Sequence, residues 1–118
     1  MKILTNNNHT VAVIDQEAHI NGTQDILDLI VSAQYNGCIG MIISKKCLPE
    51  NFFDLKTGFA GEVLQKFSNY RFKVAIVGDF SCYPSKSLQD FIYECNKGSL
   101  VYFKDSVDSA IHALTPGE

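Results

Sequence analysis

The sequence predicts a single α/β domain: one open, mostly parallel five-stranded sheet with an N-terminal antiparallel hairpin and four helices. Three observations carry that expectation. Short, almost wholly apolar runs at Ile39–Ile43, Phe72–Val77 and Leu100–Phe103 suit strands covered on both faces. Segments of helical periodicity alternate with them. Two β-prone runs, Lys2–Thr5 and Thr10–Ile14, flank the turn-rich Asn6-Asn7-Asn8-His9, so the chain opens antiparallel.

The first helix is expected over Gly22–Tyr35, where Ile26, Leu27, Leu29, Ile30 and Ala33 share one face. Asn21 and Gln24 have the spacing of a capping box, and Asn36-Gly37 supplies a left-handed stop. The second helix spans Gly58–Ser68 on Phe59, Val63, Leu64 and Phe67. The third spans Ser87–Asn96 on Leu88, Phe91, Ile92 and Cys95, and Asn96-Lys97-Gly98 ends it. The last follows Asp105-Ser106, with Val107, Ala110, Ile111 and Leu114 as its stripe, and stops at Pro116-Gly117. Each later strand is reached through a helix, so those strands are parallel, with right-handed crossovers. If the strands also lie in consecutive order, the helices between them share one face of the sheet. The opposite face then needs another cover. Both alternating sets of the central run, Phe72/Val74/Ile76 and Lys73/Ala75/Val77, are largely apolar, so the hairpin or a second subunit is expected to bury part of that face, and a homodimer is expected.

Composition bounds the function. With 118 residues, 46% hydrophobic and 19% charged, the chain has the make-up of one ordinary globular domain. Ten basic and thirteen acidic side chains leave a net charge of -3 with no basic run, which argues against nucleic acid as a partner. No apolar stretch approaches the roughly 20 residues of a membrane span, and the N-terminus turns polar after four residues, so a cytoplasmic protein is expected. Cys38, Cys47, Cys82 and Cys95 are too widely spaced for a zinc knuckle, and His9, His19 and His112 are scattered, so neither a metal nor another cofactor is expected. Cys38 and Cys95 lie in apolar surroundings and should be packed, whereas Cys47 and Cys82 fall in loops. The aromatic middle segment, Phe52, Phe53, Phe59, Phe67, Tyr70 and Phe72, should be core.

In open α/β sheets ligands collect at the carboxyl ends of the parallel strands, which here selects three loops. Ser44–Thr57 contributes Lys45, Lys46, Asp54 and Lys56; the loop after the central strand contributes Asp79, Ser81 and Tyr83; the last contributes Lys104 and Asp105. Gly58 and Gly61 would let another backbone or a ligand approach the start of the second helix. Structural roles compete with functional ones. Asp54 and Thr57 are good N-caps, Glu62 and Lys66 form an i,i+4 pair on a solvated face, and Asp79 is a common turn residue as well as a candidate general base. Gly-x-x-Gly falls short of a phosphate loop, and no Gly-x-Ser-x-Gly elbow is present.

Phe53-Asp54-Leu55-Lys56-Thr57-Gly58 and the closing Val101-Tyr102-Phe103-Lys104-Asp105-Ser106-Val107-Asp108-Ser109-Ala110, set in this order of elements, resemble the STAS domain of bacterial anti-sigma-factor antagonists. In that family an Asp-Ser-Ser-Gly-Leu segment opens the second helix. Anchored on Asp54, Leu55 and Lys56 stand where the serines would be, the glycine comes one residue late, and Thr57 is the nearest hydroxyl for a phosphorylating partner. The stretch FFDLKTGFAGEVLQKFSNYRFKVAIVGDF, followed by SKSLQDFIYE, resembles more closely an uncharacterised bacterial family classed only as a domain of unknown function. The first functional expectation is therefore a non-enzymatic regulatory module that binds a protein partner through Asp54, Lys56, Thr57, Gly58, Gly61 and Glu62. The alternative is a small-molecule-binding protein or enzyme using Lys45, Asp54 and Asp79 at the strand ends.

Overall fold

A computed structural model describes residues 1–117. Among these residues the chain forms strands β1 (Lys2–Asn6), β2 (His9–Val13), β3 (Gly40–Ser44), β4 (Lys73–Val77) and β5 (Val101–Lys104), with helices α1 (Thr23–Tyr35), α2 (Phe59–Asn69), α3 (Lys86–Lys97) and α4 (Val107–Leu114). The five strands form one sheet in the order β1-β2-β3-β4-β5. β1 pairs antiparallel with β2, and every later pairing is parallel. The predicted fold class is the observed one.

Local chemistry sets the boundaries. β1 runs one residue further than expected and β2 begins one residue earlier, ending at Val13 and not at Ile14, because the turn needs only Asn7 and Asn8, whose positive φ values of 52° and 67° suit a two-residue I′ turn. The capping box does not form at α1. Gly22 is the N-cap, the Asn21 amide instead donates to the Asp25 carboxylate at 2.8 Å, and Gln24 turns to Asp28. The exit of α1 follows the expectation: Gly37 has φ 78°, and the Gly37 and Cys38 amides return to the carbonyls of Gln34 and Ala33. Ser85 and Ser106 cap α3 and α4 by accepting from the amides of Leu88 and Ser109.

Right-handed crossovers between consecutive strands put α1, α2 and α3 on one face. There Ile26, Ile30, Ala33, Val63, Phe67, Leu88 and Ile92 close over Ala12, Met41, Ile43, Val74, Ile76 and Phe103, all buried. The second face is covered from within the chain. α4 lies on β3, β4 and β5, and its Ala110 and Leu114 pack with Val11, Ile42 and Ala75. The helix after the last strand thus does what the sequence reading assigned to the hairpin or to a second subunit. A stripe of apolar residues shows that a helix is amphipathic but not which face of a sheet it will choose. The chain's two ends are joined at the same place: Asn6 Nδ2 donates to Thr115 Oγ1 at 2.9 Å and Asn7 Nδ2 to the Thr115 carbonyl at 2.9 Å, with Thr115 fully buried.

Three 3-10 turns, Lys45–Cys47, Glu50–Phe53 and Leu55–Thr57, occupy the segment expected as a loop. They place Phe52 and Phe53 in the core, and with them Cys47, which packs at 2% exposure with its thiol 3.4 Å from the Asp15 carbonyl. Cys38 is buried, Cys95 half-buried and Cys82 exposed. Tyr70 departs from the expected aromatic core and is 40% exposed. No helix among the described residues is long and apolar enough to cross a membrane.

Candidate functional site

The carboxyl ends of β3, β4 and β5 present two groups of the predicted residues. Lys45 stands directly after β3, where Ser44 caps the first 3-10 turn through the Lys46 amide. Its aliphatic stem lies against Gly78, just past β4. A Cβ at Gly78 would fall 2.7 Å from the Lys45 Cβ, so the glycine makes the room that the lysine fills. Beyond it the ammonium donates to the Asp79 carbonyl at 2.8 Å, reaches Cys82 Sγ at 3.4 Å and sits 4.6 Å from the centre of the Tyr83 ring.

Loss of solvation works to lower the Lys45 pKa, but the Cys82 and Tyr83 interactions outweigh it and the net shift is upward. The charged form of Lys45 is thereby favoured, and its nitrogen acts as a nucleophile only after yielding a proton to solvent. Asp79 accepts from both the Ser81 hydroxyl, at 2.6 Å, and the Ser81 amide, at 2.9 Å, and these bonds hold its carboxyl below the ordinary range. An aspartate so placed organises a turn and is a weakened base. The loop is fixed from its other side by Gln89, whose Nε2 donates to the carbonyls of Phe80 and Tyr83 at 2.8 and 3.1 Å.

The second group lies before α2. The Asp54 carboxylate accepts from the Lys56 amide at 3.2 Å. The Thr57 hydroxyl donates to the carbonyls of Asn51 and Asp54, at 2.7 and 2.9 Å, and accepts from the Phe59 amide at 3.2 Å. Gly58 follows at φ 77° as the N-cap of α2, a conformation that side chains resist. Asp54 and Thr57 therefore do the capping work expected of them, although on the last 3-10 turn and the entry to α2 and not as the N-cap of α2 itself. Lys56, Gly61 and Glu62 are exposed, and the expected Glu62–Lys66 pair is not among the ion pairs of the described residues. The close ion pairs among the described residues, Lys86–Asp90 and Lys97–Glu94, are both on α3.

Lys45 and Asp79 are thus brought together, through a main-chain oxygen and not through the carboxylate, while Asp54 joins the Thr57 group. An aromatic bridge connects the two groups: the Phe53 ring stacks on Tyr83 with centroids 5.0 Å apart and planes at 14°. Beside the Asp79 loop an open depression of about 580 Å³ is lined by Gly78, Asp79, Phe80, Phe103, Lys104, Asp105 and Ser109. Gln89 escaped the sequence reading, because a side chain that bonds the main chain of a preceding loop leaves no periodic signal. Cys82 stood out only as a loop cysteine; its nearness to Lys45 arises from the parallel pairing of β3 with β4. No three of the His, Cys, Asp and Glu side chains gather as a metal site among the described residues.

Comparison with curated proteins and with solved structures yields no match. A protein family does match, over nearly the whole sheet and all four helices. Residues 5–114 fit the family described as Domain of unknown function (DUF4180), and the chain belongs to that family.

Proposed function

We propose that this chain is a non-enzymatic, cytoplasmic interaction module, kin in fold to the bacterial anti-sigma-factor antagonists, that docks a protein partner on the exposed surface from Asp54 to Glu62. The observation that carries the reading is Gly61. It lies in the first turn of α2, exposed, and a Cβ built there would meet no other part of the chain within 4 Å. A glycine inside a helix costs about 0.5–1 kcal/mol relative to alanine, and nothing within the fold requires it here. A partner's main chain lying close over this turn would. The residues best suited to chemistry are meanwhile engaged in holding loops, Lys45 on the Asp79 carbonyl and Asp79 on Ser81. Association of two copies remains part of the proposal with narrower support, the open edge of β1 with Met1 and Ile3 exposed, since α4 covers the sheet face that first motivated it.

The test is a gentle pull-down from the native cell extract with wild-type protein, Gly61→Ala and Gly61→Arg, each checked for folding by circular dichroism. A partner retained by the wild type and lost with folded Gly61→Arg supports the reading. Recovery of the protein alone, or a partner indifferent to Gly61→Arg, defeats it.

The depression beside Asp79, Lys104 and Asp105 favours one alternative, a small polar ligand at the strand ends. A ligand at about 100 times its dissociation constant adds about 2.7 kcal/mol to stability, so a metabolite screen by thermal shift detects it. A broad library that leaves the melting temperature unmoved removes this alternative.

A further inference from the structure

Of the cysteines, Cys82 is exposed, whereas burial pushes the thiols of Cys38, Cys47 and Cys95 up and screens them from solvent. Its neighbour is not a loose surface lysine. The Lys45 stem fills the space left by Gly78, and its nitrogen is fixed by the Asp79 carbonyl at 2.8 Å and by the Tyr83 ring. The sulfur lies 3.8 Å from the same Asp79 carbonyl, and Gln89 ties its loop at Phe80 and Tyr83, to either side of Cys82. The two reactive atoms, in the segments that follow adjacent parallel strands, are thus kept 3.4 Å apart, the lysine fixed on the Asp79–Tyr83 loop and that loop fixed in turn by Gln89. A single oxygen atom spans such a gap after a small approach.

We propose that Lys45 and Cys82 form an oxidative cross-link, Nζ–O–Sγ, when the protein meets hydrogen peroxide. The Cys82 sulfur attacks one peroxide oxygen, the O–O bond breaks, and the thiol proton leaves with the departing oxygen as water, giving a sulfenic acid. The Lys45 ammonium yields a proton to solvent, and its nitrogen attacks a second peroxide in the same way, giving a hydroxylamine and water. The hydroxylamine oxygen then attacks the sulfenic sulfur; the new O–S bond forms, the old S–OH bond breaks, and a further water leaves. Thiol and amine together surrender four electrons to two peroxide molecules. The product ties the end of β3 to the loop after β4 and abolishes the Lys45 charge above Tyr83.

The test treats the intact protein with hydrogen peroxide and reads its mass, with Lys45→Arg and Cys82→Ser in parallel. The expected wild-type product gains one oxygen and loses two hydrogens, yields a joined peptide containing Lys45 and Cys82, melts at a higher temperature, and reverts with dithiothreitol. Both variants lack it, and Lys45→Arg, which keeps a cation at the site, stops at sulfur oxidation. Oxidation of Cys82 to sulfinic acid alone, a disulfide between two chains, no reaction at Cys82, or the same mass change in Lys45→Arg would each overturn the proposal.

Discussion

Phe53 and Tyr83 stack face to face, their ring centres 5.0 Å apart, although they belong to segments on either side of β4. Phe53 is buried and Tyr83 carries the Lys45 ammonium on its ring, so the core and the strand-end surface meet at this pair. Phe53→Ala is expected to cost about 3–5 kcal/mol, the range for truncating a buried aromatic. A cycle with Tyr83→Ala should return a coupling of about 0.5–1.5 kcal/mol, measured by urea unfolding of the two single variants and the double one. Additive losses would show that the stack contributes area alone.

Two glycines should respond in opposite directions. Gly78→Ala sets a methyl group 2.7 Å from the Lys45 Cβ and is expected to destabilise by about 1–3 kcal/mol. Gly61→Ala adds a methyl into open space on a helix and should stabilise the isolated protein by about 0.5–1 kcal/mol. Chemical denaturation checks both, and a Gly61→Ala variant less stable than wild type would remove the observation on which the docking surface rests.

Leu114 is the larger of the two fully buried residues that α4 contributes to the second face. Leu114→Ala should cost about 2–5 kcal/mol and loosen the cover over Ile42 and Ala75, seen as raised binding of a hydrophobic dye before global unfolding.

Asp79 gives a pH prediction whose sign follows from linkage. Its carboxyl is held below the ordinary value by the Ser81 hydroxyl and amide. Near and below pH of about 4 the unfolded chain therefore binds a proton that the folded chain does not. The contribution is fully present above the unfolded pKa and is lost as the pH falls through the lower, folded one. The difference in melting temperature between wild type and Asp79→Asn should shrink on acidification from pH 6 to 3, about the span of this titration; a constant difference would show that the Ser81 contacts matter equally in both protonation states.

The order of elements was legible because apolar runs and helical stripes record burial, and burial is what the fold enforces at Met41, Val74, Ile30 and Phe67. The local turns were legible for the same kind of reason, since Gly37, Asn7 and Asn8 answer to their own dihedral angles. What the sequence did not disclose depends on approach between distant segments. The placement of α4, the burial of Cys47 beneath the first 3-10 turn and the grip of Gln89 on its loop are decided by packing, which no residue spacing records. Of the candidate site, Lys45 and Asp79 were found to be neighbours, but their contact runs through a carbonyl that every residue possesses.

The link from Asn6 and Asn7 to Thr115 binds opposite termini of the chain. More than a hundred positions separate the partners, so closing this link from an open chain would carry a large loop-closure cost, which the sheet between them lowers by holding the two segments close. A chain without α4 would display Ile42 and Ala75 uncovered, so the seal over the second face depends on one helix that links no two strands of the sheet.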